Sequence, residues 1–333
     1  MKRLFAAWVV MAALFAATPA WAQKTVTFAY QDMMNPWRWV QQSQEIEKAT
    51  GFKINWRQFG GGGDVIRAMA SGDVQLGEVG STGVATAISQ GMDVDLFWIL
   101  EDIAAAEALV ARNGSGINTI ADLKGKKIGT PFVSTSHFQL LYAMQQAGIK
   151  PNEAQVLNMR PPEIAAAWGR GDIDATFIWD PVLSTVKKNG KVLMTSGDIC
   201  KKGACTFDGL IVTKKFAKEN PEFMVALVKA VAKADADYRA NPKGWTADQA
   251  KVAAVAKWSG GKPEDVSAAM ALYGFPSLQE QASPSWLGGG ANGAATKALA
   301  QQANFLKEQG RLTSVAPDFS KNVTIEWVTK AMK

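Results

Sequence analysis

Two short segments rich in serine and threonine lie where the sequence predicts a strand to end and a helix to begin. They are Gly80-Ser81-Thr82 and Ser134-Thr135-Ser136-His137. Hydroxyls and the free backbone N–H groups of a helix N-terminus can bind an anion without a full countercharge. The alternative is ordinary N-capping, in which each hydroxyl bonds only to its own helix. Both segments are therefore candidate sites for a small anion.

Three further polar residues stand at the ends of predicted strands, namely Gln31, Asp180 and Asp208. Gln31 can both donate and accept hydrogen bonds. A carboxylate in such a place could pair with an ammonium group, since a buried ammonium without a partner is strongly unfavourable. Asp180 could share that ammonium or instead bond to backbone amides. Trp179, which precedes Asp180, would either line a pocket or belong to the core.

Histidine and cysteine, two residue types that bind metals and take part in catalysis, are scarce in this sequence. His137 is the only histidine, so it cannot form a catalytic pair, and we expect it in a first helical turn with a hydrogen-bonding role. Cys200 and Cys205 enclose four residues, which in an exported protein favours a disulfide worth about 2 kcal/mol over a metal site. The segment Trp37-Arg38-Trp39 has two interpretations. One is a cation–π or anion-binding role with Arg38 as counterion, and the other is an exposed helix face with one buried tryptophan.

The elements that must position these residues occur in a repeated order. The segment Ile66 to Val74 reappears as Ala165 to Ile173, 99 positions later. Each copy predicts a helix stopped by a glycine, then an aspartate, then a short apolar strand. Polar groups at the carboxyl ends of strands are where open α/β sheets bind ligands. The repeat therefore predicts a two-lobed α/β protein that holds a small molecule between its lobes.

Alternating and apolar patterns predict strands in two cycles, at 24–30, 53–59, 97–100 and 107–111, then at 126–129, 156–159, 175–179 and 191–195. Asp64 is expected to cap the helix that follows it. The strand 208–213 is expected to return to the first lobe, ahead of a helical C-terminal region. We therefore predict lobe I at 23–112 and 208–333 and lobe II at 113–207. The two chain crossings between them would act as a hinge.

Residues 1–22 have the features of a secretory signal peptide. Lys2 and Arg3 precede an apolar run, which ends before the small-x-small cleavage site Ala20-Trp21-Ala22. Loss of these two cations lowers the formal net charge from +6 to +4. The run is too short for a membrane span, and no later segment has about 18 consecutive apolar residues. Without a Lys/Arg block, nucleic acid is a poor candidate partner. We expect an exported, soluble protein.

The chain resembles a known family along nearly all of its length after residue 22. The segments that carry the resemblance are Ala29-Tyr30-Gln31, Ile66 to Gln75 with Gly80-Ser81, Pro131 to His137, Pro161 to Trp168, Arg170 to Asp174 and Phe305 to Gly310. In this order they are similar to the taurine-binding periplasmic proteins of bacterial ABC importers. Those proteins belong to a wider group that binds sulfonates, nitrate and thiamine precursors.

The resemblance implies a type II periplasmic-binding-protein fold, in which two crossovers join two lobes and the ligand lies in the cleft between them. It also implies taurine as the ligand, the periplasm as the location, and a membrane permease with its ATPase as partners. We expect a monomeric solute receptor with no cofactor, no metal and no enzymatic activity.

The resemblance also bears on individual residues. It favours sulfonate binding over simple capping for Ser81 and Thr135, whereas Thr82 and Ser136 stay open between the two roles. The family has an aspartate at the position of Asp208, where it binds the amine. We expect the loop closed by the two cysteines to hold Asp208 in place.

Two alternatives to a taurine receptor remain at this point. One keeps the class and changes the ligand to an alkanesulfonate, hypotaurine or another small aminated acid. The other is an enzyme similar to thiamine-pyrimidine synthases, which share the general fold and use histidine and cysteine chemistry. The paired cysteines and the single histidine disfavour the enzyme.

Overall fold

The structure, a computed structural model, describes residues 23–333, and the predicted signal peptide lies outside the described residues. The described chain has ten strands: β1 (Thr25–Tyr30), β2 (Lys53–Gln58), β3 (Leu76–Gly80), β4 (Val94–Asp102), β5 (Glu107–Arg112), β6 (Lys127–Thr130), β7 (Gln155–Asn158), β8 (Ala175–Trp179), β9 (Gly190–Thr195) and β10 (Phe207–Thr213). Most begin and end within one or two residues of the prediction, because the apolar runs that define them are short and well bounded.

Sixteen α-helices occur in the same described range: α1 (Trp37–Ser43), α2 (Glu45–Thr50), α3 (Gly62–Ala70), α4 (Ser81–Ser89), α5 (Thr135–Gln146), α6 (Pro161–Arg170), α7 (Val182–Lys187), α8 (Ser196–Cys200), α9 (Lys214–Glu219), α10 (Pro221–Ala240), α11 (Pro242–Ala247), α12 (Gln249–Ser259), α13 (Pro263–Met270), α14 (Leu278–Gln281), α15 (Ala294–Glu308) and α16 (Glu326–Ala331). No helix within residues 23–333 combines the length and apolar character needed to cross a membrane.

The strands form two five-stranded mixed sheets with the same topology. The first sheet has the order β2-β1-β3-β10-β4 and the second has the order β7-β6-β8-β5-β9. In each sheet the first three strands are parallel, and the fourth runs antiparallel to the third and to the fifth. We refer to the elements built on the two sheets as the first and second lobes. This arrangement confirms the predicted two-lobed α/β fold.

The repeated motif has the same local structure in both lobes. Helices α3 and α6 are followed by Gly72 and Gly171, whose φ angles of +85° and +79° lie in the left-handed region that favours glycine. The chain then enters β3 and β8, which are buried along their whole length, as expected for strands covered on both faces. The repeat thus places the ends of β3 and β8 at corresponding positions.

The predicted start of α3 is wrong. The helix begins at Gly62, and Asp64 lies inside its first turn instead of at the N-cap position, which Gly61 occupies. The Asp64 carboxylate pairs with Arg67 on the same helix and with Arg160 of the second lobe. A glycine-rich run gives no side-chain signal for a helix start, which explains the error.

The predicted boundary after residue 112 also differs from the structure. Strand β5 pairs with β8 and β9, so the chain has already crossed into the second sheet at Glu107. The first crossover therefore lies between Asp102 and Glu107, and the second lies just before Phe207. The apolar pattern of β5 indicates burial but does not indicate which sheet buries it.

Each lobe has a separate apolar core. Phe28, Trp37 and Trp98 are fully buried in the first, whereas Phe138 and Phe177 are fully buried in the second. The large apolar cluster on each sheet is thus separate from that on the other, which suits a hinged pair of lobes.

Candidate functional site

A small cavity lies between the two sheets, where their central strands meet. Its volume is about 10 Å³, which is close to the space for one water. Its lining comes from both lobes: Gln31, Met33, Gly62, Gly80, Glu107, Ser134, Thr135, Trp179 and Asp208. Six of the predicted site residues are among them, whereas Ser81, Thr82, Ser136, His137 and Asp180 are not. Met33, Gly62 and Glu107 were not predicted.

Asp208 lies at the start of β10, opposite Gly80 of β3 and Glu101 of β4. Its side chain is 5% exposed and has no hydrogen-bond partner among residues 23–333. Burial raises the pKa of this carboxyl well above its usual value, and the neighbouring carboxylates of Glu101, Glu107 and Glu78 raise it further. An acid this buried and this poorly paired is suited to a cationic ligand group.

A buried ion pair lies near Asp208 in the first lobe. Arg38, with no exposed surface, donates to both carboxylate oxygens of Glu78, at 2.8 Å from Nη1 and 2.6 Å from Nη2. Trp37 also donates to Glu78, and Asn35 donates to Glu101. The interpretation of an exposed helix face is therefore wrong for Arg38, whose side chain is buried. The cation–π contact is present, because the guanidinium carbon lies 5.4 Å from the ring centre of Tyr30 and 6.0 Å from that of Trp37. Its counterion is Glu78, a carboxylate of the protein.

Glu107 is the first residue of β5 and faces the cavity from the second lobe. It accepts a hydrogen bond from Thr135 Oγ1 at 2.5 Å and one from Ser196 Oγ at 3.4 Å. Burial raises its pKa to about 7, partly offset by these hydroxyl donors. Glu107 was not predicted as a site residue, because β5 was expected to belong to the first lobe. Its position at the start of a strand is the same signal that selected Asp208.

The hydroxyls of the first candidate turn face α15. Ser81 Oγ and Thr82 Oγ1 donate to Gln302 Oε1 at 3.0 and 2.7 Å, and Ser81 Oγ also accepts from the backbone N–H of Phe207. Only Gly80 of this turn lines the cavity. A Cβ atom placed on Gly80 would lie 2.8 Å from Thr135 Cγ2, so the glycine permits the close approach of the second lobe.

The second candidate turn contributes more directly. Ser134 caps α5 by accepting from the backbone N–H of His137, and it donates to the carbonyl of Pro131. Ser134 and Thr135 both line the cavity, whereas the buried Ser136 Oγ has no hydrogen-bond partner among residues 23–333.

His137 lies in the first turn of α5, as predicted, but its ring does not fulfil the expected hydrogen-bonding role. The ring stacks on Phe132 with centroids 4.3 Å apart, and Nε2 has no partner among residues 23–333. Burial and the positive charge of Arg311 lower the pKa of His137 to about 3. The ring is therefore neutral at physiological pH.

Of the remaining predicted residues, Gln31 and Trp179 line the cavity, whereas Asp180 does not. Gln31 Nε2 donates to the Glu78 carbonyl, and Trp179 Nε1 donates to Asp32 across the two lobes at 2.6 Å. Asp180 Oδ1 accepts from the backbone N–H of Ser184 at 2.8 Å, at the start of α7. The structure thus matches the interpretation in which Asp180 bonds to a backbone amide.

Cys200 and Cys205 form a disulfide between α8 and β10. The carbonyl of Cys205 accepts from Gln302 Nε2, while Gln139 of α5 donates to Ala204 and Thr206. The disulfide loop is thus bonded to helices of both lobes, three residues before Asp208. Within residues 23–333 no group of three or more histidine, cysteine or acidic residues is arranged to hold a metal ion.

A larger groove of about 530 Å³ adjoins the cavity on the outside. Its walls include Asp32, Gly60 and Asp64 of the first lobe and Arg160 of the second. The Arg160 Nε–Asp64 Oδ2 distance is 2.9 Å, so this ion pair spans the lobes. The Asp32–Trp179 hydrogen bond separates the groove from the cavity, because Asp32 lines the former and Trp179 the latter.

Two sheets of matching order, joined by two crossovers and enclosing a polar cavity, define a binding protein of the type II periplasmic fold. The family profile described as NMT1/THI5 like matches residues 48–244. The chain is 38% identical over 303 residues to the taurine-binding periplasmic protein of Escherichia coli, covering 91% of this chain and 92% of that protein. The chain belongs to the NMT1/THI5-like family.

Two further relatives agree with this assignment. A putative aliphatic sulfonates-binding protein of E. coli is 31% identical over 186 residues, which cover 55% of this chain and 57% of that protein. The crystal structure of the periplasmic aliphatic sulphonate binding protein from E. coli superposes with a TM-score of 0.70 at 23% identity, covering 90% and 92% of the two chains. These relatives are binding proteins, in agreement with the prediction of a non-enzymatic receptor.

Proposed function

We propose that this protein is a periplasmic solute receptor that binds taurine between its two lobes and delivers it to an ABC importer. Its similarity to a taurine-binding periplasmic protein extends over 91% of the chain. The observation that carries the proposal is Asp208, a carboxyl group that is buried at the cavity without any hydrogen-bond partner among residues 23–333. Taurine has an ammonium group that would supply the missing countercharge.

The sulfonate would bind at the N-termini of α4 and α5. These helices begin beside the cavity, one in each lobe, at Gly80 and at Ser134. The first N–H groups of a helix have no partner within it, and the helix dipole favours an anion there. Since His137 is neutral and Arg38 is bonded to Glu78, backbone groups and hydroxyls would carry this contact.

Ligand binding requires the lobes to separate and close again. The volume of about 10 Å³ holds roughly one water, so taurine cannot enter without movement of the lobes. Contacts across the cleft, such as Trp179–Asp32 and Arg160–Asp64, form only when the lobes approach. A ligand shifts the equilibrium towards the closed state only through contacts that this state improves. The importer, which consists of a membrane permease and its cytoplasmic ATPase, would recognise that closed monomer through the permease.

Calorimetric titration of residues 23–333 with taurine, hypotaurine and ethanesulfonate tests the proposal. We expect one-to-one taurine binding at micromolar or lower concentration, about −8 kcal/mol or better. Ethanesulfonate lacks the amine and leaves Asp208 unpaired, so it should bind far more weakly. The variant Asp208→Asn should lose taurine affinity by about 100-fold or more, because a buried charge pair is removed.

The outcomes separate the candidate ligands. Tighter binding of ethanesulfonate than of taurine would support the alternative of an amine-free alkanesulfonate, the class that the name of the second E. coli relative indicates. Equal losses for both ligands in Asp208→Asn would refute the role of Asp208 as the amine-binding residue. No heat with any of the three would refute a small-sulfonate receptor.

A further inference from the structure

Because the two sheets have the same strand order, each contains one strand that runs antiparallel to both of its neighbours. In the first sheet this is β10 and in the second it is β5, each antiparallel to both of its neighbours. Each of these strands also begins directly after the chain has crossed from the other lobe. Because β10 and β5 occupy the same place in the two sheets, residues at their starts occupy equivalent positions.

Asp208 and Glu107 are such equivalent residues. Asp208 pairs in register with Gly80, the last residue of β3, and Glu107 pairs in register with Trp179, the last residue of β8. Both side chains line the same cavity, one from each lobe, and both are at least 95% buried.

Neither carboxylate has a cationic partner within residues 23–333. Glu107 bonds to uncharged hydroxyls, including those of Thr135 and Ser196. The side chain of Asp208 has no hydrogen bond or ion pair with any residue in the part of the chain that the structure describes. The buried guanidinium of Arg38 is engaged by Glu78. Two buried acids that face one cavity without a countercharge are costly to ionise unless a cation binds between them.

We propose that Glu107 is a second amine-binding residue, so that the ammonium group of the ligand is held by Asp208 from the first lobe and by Glu107 from the second. This inference rests on the proposed function and adds a determinant of specificity to it. Since the two carboxylates belong to different lobes, the ammonium would bridge the cleft and favour closure. Thr135 is a positioning residue, because its hydroxyl bonds to the Glu107 carboxylate at 2.5 Å. The ligand class selected would be aminoalkyl sulfonates.

The test compares Glu107→Gln with the matched control Asp180→Asn. Glutamine keeps an oxygen that accepts from Thr135 but removes the charge. Asp180 is an equally buried acid that lies outside the cavity lining, and asparagine can still accept from the Ser184 N–H. Thermal unfolding of each variant checks that it is folded. Titration with taurine and with ethanesulfonate gives the affinities, and small-angle scattering with each ligand reports closure.

We expect Glu107→Gln to weaken taurine binding by about 30-fold or more, the effect of removing one partner of a buried charge pair. Ethanesulfonate binding should stay unchanged or improve, and taurine should no longer compact the variant at concentrations that close the wild type. The control should bind both ligands with affinities within about threefold of the wild type.

Two results would overturn the inference. Unchanged taurine affinity in Glu107→Gln, together with a large loss in Asp208→Asn, would mean that only the first lobe binds the amine. Equal losses for taurine and ethanesulfonate would mean that Glu107 shapes the cavity without binding the amine. Both results leave a wild type that binds taurine. Failure of the wild type itself to bind taurine would instead count against the proposed function.

Discussion

The strand-to-helix turns at Gly80-Ser81-Thr82 and Ser134-Thr135-Ser136 resemble each other in sequence and differ in what their hydroxyls bind. In the first turn both hydroxyls donate to Gln302 of α15, away from the cavity. In the second turn the Thr135 hydroxyl donates to Glu107, which lines the cavity. Both turns nevertheless begin a helix beside the cavity, α4 after Gly80 and α5 after Ser134.

This difference shows that similar polar sequences can serve stability in one lobe and ligand binding in the other. Gln302 joins the first turn to the Cys205 carbonyl, so these hydroxyls hold α15 and the disulfide loop against α4. The Thr135 hydroxyl orients a carboxylate. The bonding partner, which lies far away in sequence, decides the role of each hydroxyl.

The largest expected effect comes from Gly80→Ala, which tests the close approach of the two turns. The new Cβ would lie 2.8 Å from Thr135 Cγ2 and 3.0 Å from Asp208 Oδ1. Because the contact with Thr135 exists only in the closed form, the substitution should weaken taurine binding by about 100-fold. Calorimetric titration measures the affinity, and thermal unfolding measures the stability.

A suitable control for this variant is Gly169→Ala in α6. A Cβ there would meet no atom within 4 Å, and alanine favours the helix over glycine. We expect unchanged taurine affinity and equal or slightly greater stability. Normal taurine binding by Gly80→Ala would show that the turns do not approach as closely in the bound form.

The next largest effect comes from matched Thr→Val substitutions, one in each turn. They distinguish the turn whose hydroxyl supports ligand binding from the turn whose hydroxyl supports stability. Thr135→Val removes the hydrogen bond to Glu107 and should weaken taurine binding about tenfold, the worth of a hydrogen bond to a charged group. Thr82→Val removes the 2.7 Å bond to Gln302 and should lower the free energy of unfolding by about 1 kcal/mol, with affinity nearly unchanged. Titration and denaturant unfolding on both variants measure the two quantities. If Thr82→Val instead lost taurine affinity and Thr135→Val lost only stability, the first turn would bind the ligand and the second would stabilise the fold.

The smallest effect is a pH dependence that arises from Glu107, the carboxylate bonded to Thr135 of the second turn. The pKa of Glu107 is raised to about 7, and a bound ammonium favours the ionised form, so taurine affinity should rise about twofold from pH 7 to pH 8. Binding near pH 7 should release a proton, seen as a buffer-dependent enthalpy. In the unliganded protein, rising pH has the opposite effect on the free energy of unfolding. Because the pKa of Glu107 is raised from 4.5 to about 7 on folding, its protonated form stabilises the folded state. This contribution is fully present below pH 4.5 and is lost as the pH rises through 7.

The control for this pH effect must separate Glu107 from its charged neighbours. The first lobe contributes the carboxylates of Asp208, Glu101 and Glu78 and the guanidinium of Arg38, and Asp208 also titrates above its usual range. In Glu107→Gln these groups stay in place, so the part of the pH dependence due to Glu107 should vanish. An identical pH profile in the variant would assign the effect to the first-lobe acids, since burial raises the pKa of Glu101 to about 8 and that of Asp208 well above its usual value.

Much of the fold could be predicted from the sequence. The glycine-aspartate motif after α3 and α6 correctly located two equivalent helix-to-strand turns, because a left-handed glycine has a recognisable local signature. The returning strand that carries Asp208 was also predicted, since its apolar run follows the cysteine pair. Such features depend on neighbours in sequence.

The features that could not be predicted depend on long-range pairing. Glu107 was assigned to the wrong lobe, since β5 finds its partners more than 60 residues further along the chain. One interpretation placed Arg38 on an exposed helix face, yet the side chain is buried and its partner Glu78 lies 40 residues away. Gln302 had no local signal, because it sits in an ordinary amphipathic helix and bonds to residues about 220 positions earlier.

The place of β10 has a consequence for the order of folding. This strand lies between β3 and β4 in the interior of the first sheet, but it follows the strands of the second sheet in sequence. The second sheet uses one continuous stretch, from Glu107 to Thr195. Contacts of short sequence separation form earlier than those that close long loops. The second lobe should therefore fold first, and the first lobe should be completed only when Asp208 arrives with its strand.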